Sequence, residues 1–309
     1  MFPKSTLREG SNMKRIELKS VVLPNGETIG YREREGGEKH VLLVHGNMVS
    51  SKHWDLMFEQ MDETYKLYAI DLRGQGISSY TRPIHSLKDF SEDVKQFVDM
   101  LGLKTFSLVG WSMGGGVCMQ FAADYPDQVE KLVLLASVST RGYPFYKVDE
   151  RGQPILTERL RTKEEIARDP LRSVPITDAY RRKDKHFLRQ LFNATMYVHN
   201  QPSPERYEVY LDEVLMQRNL LDVYHALNHF NISHFDNGLT KGTGEVDRIV
   251  APTLVVWGEH DQVVTKSMQE EIVHDFGGRA KFTILSNAGH SPFTDNLEEL
   301  LQELQSFLS

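Results

Sequence analysis

The amino-acid sequence predicts an α/β protein: a doubly wound, mostly parallel sheet of about eight strands. Three observations carry this. Six short runs are nearly continuous and rich in Val, Ile and Leu, as suits strands covered on both faces by helices. Helical patterns lie between most of these runs. A hairpin signal stands ahead of them.

In chain order, the extended runs Arg15 to Val22 and Glu27 to Arg34 flank Pro24-Asn25-Gly26, and Asn-Gly between two such runs is a strong hairpin turn. Val41 to Val44, Leu67 to Ile70, Phe106 to Val109 and Leu132 to Leu135 follow as buried strands, and Thr253 to Trp257 and Phe282 to Leu285 close the series. Along the predicted helix Leu87 to Met100 and just past its end, the residues Phe90, Val94, Phe97, Val98 and Leu101 recur at spacings of three and four, which puts them on one helix face. Met113 to Asp124 and Leu297 to Leu308 also read as helices. The stretch between Ser137 and Val250 interrupts the alternation and is too long for one crossover. Within it, Thr162-Lys163-Glu164-Glu165 reads as a capping box, and Ser203-Pro204 as an N-cap followed by proline in the first helical position. Apolar residues from Tyr207 to Phe230 continue at helical spacing. The expected organisation is therefore a flexible extension at 1–12, a core of 13–138 and 248–309, and a helical cap at 139–247 inserted after the sixth strand.

Composition removes several function classes. The chain has 309 residues, 40% hydrophobic and 26% charged, an ordinary globular balance. Its net charge of −7 carries no basic footprint for nucleic acid. Its single cysteine, Cys118, forms neither an internal disulfide nor a thiolate metal site. No apolar run reaches the ~18 residues of a membrane span, and the N-terminus lacks the apolar core of a signal peptide, so a cytoplasmic location is expected. His225 and His229 are four apart on a predicted helix, but no glutamate of the metalloprotease kind stands between them, so no metal is expected. Gly114-Gly115-Gly116 lacks the Lys-Ser/Thr of a phosphate loop.

The strongest chemical signal is Gly110-Trp111-Ser112-Met113-Gly114, between a predicted strand and a predicted helix. A G-x-S-x-G in that context is a nucleophile elbow: the glycines allow a turn so sharp that Ser112 Oγ projects above the sheet. A serine hydroxyl needs a base. His290, in the loop after the last strand, stands where an imidazole can reach Ser112. The base needs an acid to hold its tautomer. Asp261 leaves the same sheet edge after the penultimate strand, with Glu259 as its neighbouring rival; Ala136 to Ser139 holds no carboxylate. The order Ser, Asp, His suits a hydrolase elbow. The oxyanion donors are expected to be the backbone N–H groups of Met113 and Asn47. His45 is expected to anchor the loop rather than react.

With these residues in view the chain resembles the α/β-hydrolase superfamily, in its form with a cap after the sixth strand. The resemblance covers 27–309 and rests on His45-Gly46, Asp71 to Ser78, Gly110 to Gly115, Asp124-Tyr125-Pro126, Gly258 to Asp261 and Gly289 to Pro292. It implies an α/β-hydrolase fold, a structural turn at Asp71–Ser78 and a cap that shapes the substrate pocket. Epoxide hydrolases and haloalkane dehalogenases place Asp where this chain has Ser112. Hydrolases of carbon–carbon bonds usually carry Gly-Pro-Gly after the His-Gly pair, where this chain has Asn47-Met48-Val49. The elbow and layout look similar to small carboxylesterases and lactonases. The resulting expectation is a cofactor-free serine hydrolase of small to medium carboxylic esters, lactones among them, with Ser112, His290 and Asp261 catalytic. A small-molecule receptor and a carbon–carbon bond hydrolase are the alternatives on the same fold. Of Tyr143, Tyr146, Tyr197, Tyr207, Tyr210, Tyr224 and Phe230 in the cap, two or three at most are expected to face the site.

Overall fold

The computed structural model describes residues 16–309. The expected extension at 1–12, and Arg15 at the head of the first predicted strand, lie outside the described residues.

Eight strands form one sheet: β1 (Ile16–Val22), β2 (Thr28–Arg34), β3 (Lys39–Val44), β4 (Tyr65–Ile70), β5 (Phe106–Trp111), β6 (Val129–Leu135), and, after the cap, two more. β1 and β2 pair antiparallel across the predicted turn, where Gly26 adopts φ +89° and Asn25 Oδ1 accepts from Glu27 N at 3.0 Å. β2 is also antiparallel to β4; all other pairings are parallel. Helix α1 (Asp55–Gln60) follows β3, α2 (Leu87–Met100) follows β4, and α3 (Met113–Asp124) follows β5. Alternation along β3 sends Val41 and Leu43 into one apolar layer and Leu42 and Val44 into the other, so the sheet is buried on both faces. α2 supplies the second layer with Phe90, Val94, Phe97 and Val98, the stripe read from their spacing. Burying each phenylalanine is worth about 2 kcal/mol or more.

The insertion after β6 opens on a two-stranded ribbon, β7 (Tyr146–Val148) with β8 (Pro154–Arg159). The helical cap expected from the sequence thus begins with a short ribbon that the sequence reading did not include. The ribbon escapes sequence reading because it buries so little: Leu156 in it is 72% exposed, and no apolar alternation marks it. Its turn is local chemistry, with Asp149 Oδ1 accepting from Arg151 N and Gln153 N, both at 2.8 Å. Five helices follow: α4 (Lys163–Ala167), α5 (Ser173–Arg182), α6 (Lys185–Thr195), α7 (Pro204–Val214) and α8 (Leu220–His229). Thr162 and Ser203 cap α4 and α7 as their sequence signatures require. The helical spacing read from Tyr207 to Phe230 is broken at 215–219, which separates α7 from α8 and turns Gln217 inward.

The chain returns to the sheet as β9 (Thr253–Gly258), α9 (Lys266–Asp275), β10 (Ala280–Leu285), α10 (Pro292–Asp295) and α11 (Leu297–Leu308). The strand order is β1-β2-β4-β3-β5-β6-β9-β10. The loops after β3, β5, β9 and β10 all leave the same edge of the parallel strands, which brings Asn47, Ser112, Asp261 and His290 together.

Candidate active site

Ser112 sits between β5 and α3 at φ +56° and ψ −121°, a strained conformation for a residue with a Cβ. Two glycines permit the surrounding approach. A Cβ on Gly114 would stand 2.2 Å from the carbonyl oxygen of Val44, and one on Gly46 would stand 2.9 Å from Ser112 Cβ. α3 can therefore pack onto β3, and the loop after β3 can touch the serine.

His290 Nε2 lies 3.0 Å from Ser112 Oγ, and His290 Nδ1 lies 2.9 Å from Asp261 Oδ2. The His290 and Asp261 side chains are 4% and 0% exposed, so this pair is shielded from solvent. Asp261 Oδ1 accepts from the backbone N–H groups of Val263 and Val264 at 2.7 and 3.0 Å. The rival Glu259 points away: it is exposed and accepts from Asn287 N at 2.8 Å. The sequence-predicted Ser, His and Asp thus meet in one hydrogen-bonded row. Asn47 lines the same cavity, and Met113 opens α3 directly after the serine, with the positive end of the helix dipole behind it.

His45 is buried and bridges the loop rather than facing the cavity. Its Nε2 accepts from Leu72 N at 3.0 Å, and its Nδ1 lies 2.7 Å from Gly46 O, so Nδ1 carries the proton. Burial pushes its pKa down to about 4, which keeps the ring neutral. Asp71–Ser78 is a structural turn. Asp71 accepts from Ser51 N at 2.8 Å and Ile77 N at 3.1 Å. Arg73 forks onto Asp93 at 2.6 and 2.7 Å, with both side chains buried.

The cavity over Ser112 and His290 has a volume of about 250 Å³. Its walls are mostly apolar, with Met48, Phe145, Ile176, Phe192 and Met196 among them. Of the seven cap aromatics named from the sequence, Tyr143 and Tyr224 reach it. Tyr197 and Tyr207 pack edge to face at 5.2 Å in the cap core, and Tyr210 stacks on His53 at 4.2 Å. A wider hollow of about 690 Å³ shares Tyr143, Phe145 and Arg172 with the inner cavity and lies beneath the ribbon. Among the described residues no group of three or more His, Cys, Asp or Glu could hold a metal. The His225 and His229 rings lie against each other at 4.1 Å.

Three contributors escape the sequence. Trp111 donates from Nε1 to His290 O at 2.7 Å and so fixes the histidine loop. Gln217 donates to Asn47 Oδ1 at 2.8 Å and accepts from Tyr180 OH at 3.1 Å, joining the cap to the loop after β3. Arg172 enters both hollows from the cap. No local pattern marks Gln217 or Arg172; Trp111 stands out by its place beside the serine, but its partner lies 179 positions away.

The alpha/beta hydrolase fold family model matches residues 39–297. The chain is 27% identical over 286 residues to a 2-hydroxy-6-oxononadienedioate/2-hydroxy-6-oxononatrienedioate hydrolase of Paraburkholderia phymatum, covering 91% of this chain and 90% of that one. It is 25% identical over 287 residues to the monoacylglycerol lipase ABHD6 of Bos taurus, covering 90% and 78%. Among solved structures, a bacterial membrane phospholipase A superposes with a TM-score of 0.69 at 26% identity, covering 95% of this chain and 86% of the other. An esterase from Exiguobacterium antarcticum superposes at 0.71 with 18% identity, covering 94% and 98%, a likeness of fold.

Proposed function

This chain belongs to the α/β-hydrolase fold family, and from that premise we infer that it is a serine hydrolase of carboxylic esters, lactones included, working through an acyl-enzyme. The observation that carries this is the row Asp261–His290–Ser112, at 2.9 and 3.0 Å, on the floor of a mostly apolar cavity. Ser112 Oγ attacks the ester carbonyl carbon while His290 Nε2 takes its proton. Asp261 holds the proton on Nδ1 and stabilises the imidazolium that forms. The N–H groups of Met113 and Asn47 receive the oxyanion, each worth about 3 kcal/mol in the transition state. The C–O bond to the leaving alcohol breaks as His290 returns the proton. Water, deprotonated by His290, then attacks the acyl-enzyme and releases the acid. No cofactor enters any step, and the substrate is a small to medium ester that fits beneath the cap.

The test is steady-state hydrolysis of p-nitrophenyl esters from acetyl to palmitoyl, with Ser112→Ala as control. Turnover should peak at short to medium chains and vanish in the variant. Turnover that survives Ser112→Ala would sink the reading.

The Paraburkholderia relative favours a second reading, hydrolysis of a carbon–carbon bond beside a ketone. Turnover of a 2-hydroxy-6-oxo dienoate with kcat/KM above that of every ester would select it.

A further inference from the structure

We propose that Arg172 makes the inner cavity a subsite for a carboxylate, so that the preferred ester carries a free carboxylate on the part that lies under the cap. This rests on the ester-hydrolase reading for the word ester, but the subsite itself is a binding property. Arg172 lines the inner cavity together with Ser112 and His290, and no Asp or Glu lines that cavity among the described residues. It is the one arginine or lysine there, set among apolar and neutral walls. Arg172 is half-buried and lines the outer hollow as well, so a carboxylate reaching it gains a charge-assisted pair at the mouth of the inner cavity.

The other cations nearby are already committed. Arg141, on the outer hollow, forks onto Asp275 at 2.7 and 3.0 Å. Arg159 donates at 2.6 Å to Asn237 O and to Asn228. Among the described residues, the three acids of the outer hollow each have a donor: Asp169 accepts from Leu171 N at 3.0 Å, Asp236 from Gly238 N at 2.7 Å, and Glu271 from Ser139 Oγ at 2.5 Å. Arg172 by contrast makes one long bond, from Nη1 to Pro144 O at 3.2 Å. The aromatic rings of Tyr143 and Phe145 hold its guanidinium at 5.0 and 4.8 Å. Rings orient the guanidinium plane but accept none of its edge N–H donors in the way an oxygen does. A planar carboxylate matches that edge with two parallel bonds.

The experiment uses Ser112→Ala, which binds without turning over. Isothermal titration compares monomethyl adipate, an anion at pH 7.5, with dimethyl adipate, its neutral counterpart. The monoester should bind at least about tenfold tighter, the scale of a charge-assisted pair. Adding Arg172→Gln should close that gap to within about threefold. If that double variant does not melt cooperatively, Arg172→Met keeps the stem against the rings and carries the same comparison. Equal affinities, no binding of the monoester, or a gap that persists without Arg172 would overturn the subsite. Hydrolysis of both methyl esters by the unaltered protein separates the two conclusions. A gap in binding without turnover of either ester leaves the subsite standing and removes the ester reading. Turnover with no gap in binding does the reverse.

Discussion

At Asp261 the two carboxylate oxygens have different partners: Oδ1 takes two backbone N–H groups and Oδ2 faces His290 Nδ1. An asparagine there would keep its oxygen on the backbone donors and turn its NH₂ toward the ring, forcing the proton onto Nε2. Asp261→Asn should therefore lower kcat about 10⁴-fold with KM little changed, as steady-state kinetics on a turned-over ester would show. A normal kcat in that variant would exclude the assigned role. His45 gives a second prediction, in stability. Its folded pKa of about 4 lies below the ordinary 6.5, so the unfolded chain binds the proton first. The stability is whole above pH 6.5 and is lost as pH falls toward 4, by up to about 3 kcal/mol. Melting temperature should fall more steeply over that window in the unaltered protein than in His45→Gln. The neighbouring buried His53, also pushed down by burial, contributes in both proteins.

Elements are set by where backbones touch. The elbow exists because α3 and β3 approach within the space that a single methyl would fill at Gly114. Gly114→Ala places that methyl on a backbone carbonyl, which cannot swing aside as a side chain would. It should abolish activity and lower melting temperature well beyond an ordinary surface change. A folded, fully active Gly114→Ala would contradict the packing described. The turn at Asp71–Ser78 is held to α2 by the fork of Arg73 on Asp93. Removing Asp93 leaves the buried Arg73 with Glu27 at 4.0 Å as its remaining carboxylate, so Asp93→Ala should cost about 3 kcal/mol by denaturant unfolding, the lower end for a broken buried pair. The elements legible in the sequence are those with a strong period or a cap, such as α2 and α11, while α3, buried all round, is legible from the elbow that opens it. The β7–β8 ribbon was not legible, because its strands are held by turn chemistry and pairing with little apolar burial.

Across the whole molecule the cap and the sheet meet at the loop after β3. Gln217 draws Asn47, Tyr180 and Asn219 into one polar chain, half-buried at Asn47 and Tyr180 and buried at Asn219, whose Nδ2 donates on to Arg73 O at 2.7 Å. Cap position and the loop after β3 are therefore mechanically joined. Gln217→Ala removes the shared partner and should reduce kcat/KM by about three- to tenfold, the worth of one or two net hydrogen bonds. The fall should lie in kcat more than in KM if the loop rather than the pocket is disturbed. An unchanged kcat would show that the loop holds its place without the cap.

The sequence by itself determined the sheet, its helices and the candidate Ser112, Asp261 and His290, because each is written in short-range terms. Buried strands need continuous apolar runs, an elbow needs its glycines, and loops after parallel strands must leave one edge. Tertiary structure alone shows why Asp261, favoured from the sequence, rather than Glu259 faces His290: two carboxylates two residues apart on one loop differ in where they point. It alone chose Tyr143 and Tyr224 from seven cap aromatics, and brought Trp111 onto His290, Gln217 onto Asn47 and Arg172 into the cavity. Those contacts join residues as much as 179 positions apart, and no local pattern encodes the direction in which a cap folds back over its sheet.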